Sequence, residues 1–390
     1  MKTFLSGALA LAAATPSLWA GVPRASNDWL GLDEELNSLA STVNLQNNGT
    51  DIGALIRSTF YTSSDFDGGT GEDLLGLSLE DARLWANGTL GDFGWRISMD
   101  FAENELDDGF GNDVPVTYLA KAAAGELGEN DLDATIQDAY AVWNFSEAVS
   151  LTWGRFRAPR SLASTFHQDS LLFTQRTVLG DFGYRFDEGV MISGRYDGGL
   201  NWYLSAQNGV DGTDDDLNFT ARLELLSGTG ASKKEGAYDS SNSLNATLGA
   251  TYEDDSETGN YWLVDLAGTS GRLGYHAEFY GFEDDGTEAL GFATGTSFLD
   301  PVSTFAEDAN PWSATLSYLI APESSEFAVR YEDLDDQADT TLLSLGYNYY
   351  LAGHNAKLQF GYSMIDSDDN ALDGNIVSIG LTLGFEGYEG

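Results

Sequence analysis

Six of the chain's thirteen arginines fall between positions 155 and 195: Arg155, Arg157, Arg160, Arg176, Arg185 and Arg195. Arg57, Arg83 and Arg96 sit at alternating polar positions of nearby segments. A guanidinium stays charged at any working pH and donates charge-assisted hydrogen bonds in a fixed fork. Several along one wall can pass an anion from site to site. Carboxylates lie among them at Asp81, Asp100, Asp138, Asp187 and Asp197. The same arginines can therefore serve as a structural ladder that neutralises acids, and both readings stand. The candidate lining set is Arg57, Arg83, Arg96, Arg155, Arg157, Arg160, Arg176, Arg185, Arg195, Asp100, Asp138 and Asp187.

Other chemistry is thin. There is no Cys, which excludes thiolate metal sites and disulfides. Three scattered histidines (His167, His276, His354) do not make a histidine metal site. His276 and Glu278 alternate as a base pair would, but no nucleophile is placed beside them, so no enzyme is expected. The run from Asp366 begins like a calcium loop, yet Ala371 replaces the required Gly and Val377 stands where a closing Glu belongs. With the acidic stretches 211–216 and 333–339, it suits loosely held divalent ions at most. No cofactor is expected.

Composition narrows the class. Lys+Arg is 18 and Asp+Glu 62, so the net charge is 18 − 62 = −44 over 390 residues. That excludes a nucleic-acid partner, which needs clustered cations. With 21 Phe, 18 Tyr and 9 Trp, the chain is not a disordered acidic tail. Residues 1–20 read as a signal peptide: Lys2, an apolar run from Phe4 to Ala14, then Ala20 before Gly21. Residues 21–50 read as a short periplasmic extension, partly helical through Trp29, Leu32 and Leu36. No later stretch is long and apolar enough for a transmembrane helix.

From residue 51 to 386 the period is two. Leu217, Phe219, Ala221, Leu223 and Leu225 alternate with Asn218, Thr220, Arg222 and Glu224. Val377, Ile379, Leu381, Leu383 and Phe385 alternate with Ser378, Gly380, Thr382 and Gly384. Strict alternation places all apolar side chains on one face of a strand. Sixteen such segments start near residues 53, 78, 93, 134, 149, 189, 200, 217, 244, 260, 272, 312, 326, 340, 355 and 375. Each has roughly the ten residues a tilted strand needs to cross a bilayer.

Odd-numbered connections are long and even-numbered ones are mostly tight, as in outer-membrane barrels with external loops and periplasmic turns. The stretch 228–243 breaks this rule: it is either a long periplasmic loop or a slip in the strand count. Trp143, Trp153, Trp202, Trp262, Trp312 and Tyr349 suit an interfacial girdle. The expected fold is all-β, a transmembrane antiparallel barrel of about sixteen strands. Its apolar face meets outer-membrane lipids and its polar face encloses water.

At Gly154-Arg155-Phe156-Arg157-Ala158-Pro159-Arg160-Ser161, then Leu171-Leu172-Phe173 and Asp181-Phe182-Gly183-Tyr184, the chain resembles the phosphate-selective porin O/P family. Asp138-Ala139-Tyr140, Ala82-Arg83-Leu84 and Phe93-Gly94-Trp95-Arg96 are similar to further landmarks of that family. The resemblance implies a homotrimer whose third external loop, here Ala158 to Arg185, folds inward and narrows the pore. Phosphate-selecting members carry Lys rings at the mouth. This chain has only Lys121, Lys233, Lys234 and Lys357 beyond its leader. Residues 387–390 form a tail beyond the last in-phase aromatic, Phe385.

Three functions follow as expectations. The first is a water-filled porin for small hydrophilic solutes or ions, whose net charge favours cations or neutral solutes. The second is a phosphate or anion channel, from the arginine cluster. The third is a non-conducting structural or adhesive barrel. Acid-rich composition also arises in proteins living at high salt, so net charge alone does not set selectivity.

Overall fold

The structure, a computed structural model, describes residues 50–64, 75–103, 105–107, 113–115, 133–209, 217–255, 259–282, 309–322, 324–336, 339–368 and 373–385. The expected leader, nearly all of the N-terminal extension, the tail, and the acidic residues 211–216 and 369–372 lie outside these.

Sixteen strands close into one antiparallel barrel. They are β1 (Thr50–Ser64), β2 (Leu75–Leu90), β3 (Phe93–Glu103), β4 (Asp133–Asn144), β5 (Val149–Phe156), β6 (Asp187–Tyr196), β7 (Leu200–Gln207) and β8 (Asn218–Ser227). Then follow β9 (Leu244–Asp255), β10 (Gly259–Ser270), β11 (Leu273–Phe282), β12 (Trp312–Ala321), β13 (Ser325–Asp333), β14 (Thr341–Tyr350), β15 (Ala356–Asp366) and β16 (Gly374–Phe385). Every start lies within three residues of the position read from alternation. Each strand pairs with its sequence neighbours, and β1 closes onto β16 from Ala54↔Phe385 to Ser64↔Asn375. Closure leaves no edge in this sheet. A separate two-stranded sheet joins Glu105–Asp107 to Asp113–Pro115.

The wall is inside-out relative to a water-soluble protein. On β8, Leu223 is 55% exposed on the outer face while Arg222 beside it is 1% exposed on the inner face. The same holds for Leu248, Leu316 and Ile379 outside, against Thr247, Thr315 and Ser378 inside. An Arg or Lys on such an outer face at bilayer mid-depth costs about 2–4 kcal/mol. Trp143, Trp153, Trp262, Trp312 and Tyr349 all face outward. Trp202 lies across Gly194 on the paired strand, where an added Cβ would collide with the indole.

Two bulges keep the inner face in phase. The β3–β4 register shifts between Ser98↔Asp138 and Met99↔Ile136. Gln137 is the extra residue, so Gln137 and Asp138 are both buried while Ile136 stays outside. A second shift, between Arg57 and Ser58, sets Arg57 opposite Asp81. The strand count does not slip at 228–243, since β8 and β9 pair continuously from Phe219↔Asp254 to Ser227↔Ala246.

Candidate functional site

Two connections enter the barrel from opposite ends. The first is 157–186, between β5 and β6. It contains α1 (Leu162–Thr165), a 3-10 turn (Gln168–Ser170) and α2 (Val178–Phe182). Ser161 caps α1 in a capping box with Ser164, and the Thr177 hydroxyl accepts the Gly180 amide to cap α2. The first amides of both helices still need acceptors. Wall carboxylates supply them: the Leu162 amide donates to Asp265 Oδ2 at 2.6 Å and the Val178 amide to Glu332 Oε2 at 2.7 Å. The Thr177 hydroxyl donates to Glu278 Oε1 at 2.7 Å.

The loop's carbonyls meet wall donors in the same way. Asn348 Nδ2 donates to Leu172 O at 2.8 Å, Gln359 Nε2 to Leu171 O at 2.8 Å and Arg330 Nη1 to Gln175 O at 3.0 Å. Lys357 and Arg57 reach Leu171 O and Thr174 O. Apolar residues fill the remainder: Leu162, Ala163, Phe166 and Leu171 pack with Ala267, and Phe182 sits among Tyr261, Tyr280 and Phe282.

The second connection is 228–243, between β8 and β9, the stretch that breaks the loop-length alternation. It turns inward. Glu235 is buried, accepts the Leu172 amide at 2.8 Å and pairs with Arg330 at 3.1 Å. The Ala237 amide donates to Glu326 Oε1 at 2.7 Å. The His167 amide donates to Lys233 O at 2.9 Å, joining the two connections directly. Gly236 has φ +93°, and a Cβ there would press on Glu326 and Leu172.

Together these segments pack against the luminal side of β9–β16 and β1–β2. Two spaces there measure about 10 and 30 Å³. Among the described residues, space remains beside β3–β9. A cavity of about 420 Å³ is lined by Arg96, Asp138, Tyr140, Arg157, His167, Tyr203, Glu224 and Lys233, with several apolar side chains. It meets a larger space, about 930 Å³, at the short-turn end; the two share Asn201, Tyr203 and Leu226.

The predicted lining residues separate by role. Arg96 pairs with Asp138 at 2.9 Å and both line the cavity. Arg157 lines it too, its guanidinium 4.2 Å from the Tyr184 ring centre and 5.6 Å from that of Phe186. Among the described residues no carboxylate pairs with Arg157. Arg195 stands at the short-turn mouth and donates to Glu147 O at 3.0 Å. The others lie in docking contacts. Arg57–Asp81, Arg83–Asp81 and Arg83–Asp100 form one buried chain at 2.6, 2.9 and 3.0 Å. Arg160 and Arg185 share Glu253 at 2.6 and 2.8 Å.

Arg176 ties the third loop to itself through Ala163 O and Phe166 O; burial pushes its pKa down to about 10, so it stays charged at neutral pH. Asp187 accepts the Gly209 and Glu188 amides at 2.8 and 2.7 Å. Arg155 departs from the luminal place expected for it. It shares phase with outward Trp153, pairs with exposed Glu188 at 3.0 Å and donates to Ile136 O at 2.8 Å.

Lys233 was not among the predicted residues, although a Lys-Lys pair inside the anomalous connection is a usable signal. Its side chain is exposed to the luminal space, yet partial desolvation within the barrel, with Arg157 nearby, lowers its pKa. Burial together with Lys233 and Arg157 holds His167 well below the usual histidine range, so it is neutral at pH 7. The cavity thus carries three cations (Arg96, Arg157, Lys233) against two acids (Asp138, Glu224), and Glu224 is itself paired with buried Arg222 at 3.0 Å.

Solved structures with the same fold include an anion-selective porin from Comamonas acidovorans (TM-score 0.54, 13% identity, 87% of this chain and 100% of that one). Others are the outer membrane channel DcaP of Acinetobacter baumannii (0.52, 13%, 87% and 98%) and a loop L8 deletion mutant of OmpT, an outer membrane protein of Vibrio cholerae (0.52, 14%, 87% and 99%). No curated protein sequence matches the chain. The family model "Phosphate-selective porin O and P" matches residues 57–385, nearly the whole barrel. A closed sixteen-stranded wall, apolar outside and polar within, together with that match, makes the chain a member of the phosphate-selective porin O and P family.

Proposed function

We propose that the protein is an outer-membrane diffusion channel, narrowed at mid-barrel by segments 157–186 and 228–243, and that the narrow part favours small anions over cations. One observation carries this reading: the acids of the luminal wall are engaged in docking the inserted segments, while Arg157 faces the remaining space without a carboxylate partner among the described residues. The net charge of −44 is therefore not the charge a permeating ion meets. Arg96 is balanced by Asp138 and Glu224 by Arg222, which leaves Arg157 as the cavity cation without a carboxylate partner among the described residues. Export through residues 1–20, an apolar wall in lipid and a homotrimer belong to the same reading, the last on the family resemblance.

A unit charge 4 Å away is worth about 1 kcal/mol in water and about 4 kcal/mol at the effective dielectric near a protein surface. Even the lower figure is about fivefold in relative permeability. Reversal potentials across a planar bilayer under a KCl gradient are expected to show anion preference, and Arg157→Gln should lower the anion-to-cation ratio by about fivefold or more. Cation preference in the unmodified channel would refute the proposal. The adjoining spaces of about 420 and 930 Å³ among the described residues speak against a non-conducting barrel.

A further inference from the structure

The open cavity is not the lining one would build for a lone inorganic oxyanion. Phosphate is strongly hydrated and needs several converging N–H donors to replace its water. Here the cations share the cavity with apolar or aromatic side chains: Phe156, Phe186, Met191 and Leu226, with Tyr140 and Tyr203. Tyr140 and Phe156 meet edge to face at 6.4 Å, and Tyr184 and Phe186 at 5.2 Å. The volume, about 420 Å³, falls in the range of sites for small organic ligands, about 300–1,000 Å³.

Arg157 supplies the orientation. Its guanidinium carbon lies 4.2 Å from the Tyr184 ring centre and 5.6 Å from that of Phe186, two cation–π contacts that hold the group in place. A positioned guanidinium donates charge-assisted hydrogen bonds to a carboxylate. Lys233 and neutral His167 line the same cavity, from the two inserted connections.

We infer that this cavity is a binding site for a small organic carboxylate with an aromatic or otherwise apolar body, the carboxylate at Arg157 and the body against Phe186, Met191 and Tyr203. The inference rests on the anion preference proposed above and adds the chemical class of solute. Affinity for such a solute would place it inside the channel more often than diffusion alone.

The test is block of single-channel chloride current in the full-length protein by sodium benzoate, acetate and inorganic phosphate. Benzoate is expected to block at a concentration at least tenfold below either of the others. Phe186→Ala should raise the benzoate value towards that of acetate and move acetate far less. Arg157→Gln should weaken block by both carboxylates. Phosphate blocking as well as benzoate, or a benzoate-to-acetate ratio near one in the unmodified channel, would overturn the inference, and neither result requires a variant to fold. An anion-preferring channel without benzoate block sinks only this inference; a cation-preferring channel sinks the proposed function as well.

Discussion

Deleting residues 229–244 is expected to raise single-channel conductance severalfold and to lower anion preference. The register makes the deletion clean. Ser227 pairs with Ala246, so the shortened chain joins these partners through Gly228-Asn245. Gly228 already has φ +65°, and a Gly-Asn pair suits a two-residue hairpin loop. The deletion removes Lys233 from the cavity and Glu235 from both Arg330 and the Leu172 amide. Loss of the Lys233 charge alone should lower the permeability ratio by about fivefold. Loss of Glu235 and of Ala231, which packs on the Leu162 cluster, frees the third loop on one side. Single-channel conductance and reversal potential measure both effects. An unchanged conductance would mean that 228–243 does not narrow the path.

Glu253→Ala is the second large effect. This buried carboxylate accepts from Arg160 at 2.6 Å, Arg185 at 2.8 Å, Asn218 at 2.8 Å and Tyr261 at 2.8 Å. Removing it strands the Arg160 guanidinium, 2% exposed, at the root of the third loop. Breaking one side of such a buried pair costs about 3–5 kcal/mol. The expected signs are a lower temperature for losing the compact, fast-migrating form on gels and a noisier open-channel current. Arg160→Ala combined with Glu253→Ala should cost less than the sum of the two single changes, because the double variant leaves no stranded charge at this pair. Additive losses would show that the pair does not anchor the loop.

The barrel was legible in the sequence because alternation is a local signal, repeated in every strand and fixed by the pleat. The bulge at Gln137 was not, since a one-residue shift in pairing leaves no mark on composition. Nor was the inward course of 228–243. Its excess length was visible, but its direction depends on Glu235 meeting Arg330, 95 positions away. The docking contacts share this property: Arg160 meets Glu253 across 93 positions and Val178 meets Glu332 across 154. No spacing rule connects such residues.

Arg155 shows how a cluster can mislead. It lies near Arg157 in sequence, yet it sits on the strand in phase with Trp153, whereas Arg157 lies beyond the last residue of β5 and escapes that phase. Treating the six arginines as one group hid a difference that the neighbouring tryptophan already marked.

Engaging the luminal acids with loop amides also divides the protein's negative charge into two populations that the electrolyte treats differently. Asp254, Asp335, Asp339, Asp366 and Asp368 are exposed at the long-loop rim, whereas Asp265, Glu253, Glu278 and Glu332 are sealed against the inserted segments. The Debye length is about 10 Å at 0.1 M ionic strength and about 3 Å at 1 M. In dilute electrolyte the rim therefore repels anions before they reach Arg157; in concentrated electrolyte that fence is screened and the interior decides. Anion preference should consequently strengthen as KCl concentration rises, the reverse of a channel whose selectivity resides in surface charge, and an unchanged or falling ratio would place the selecting charges at the rim.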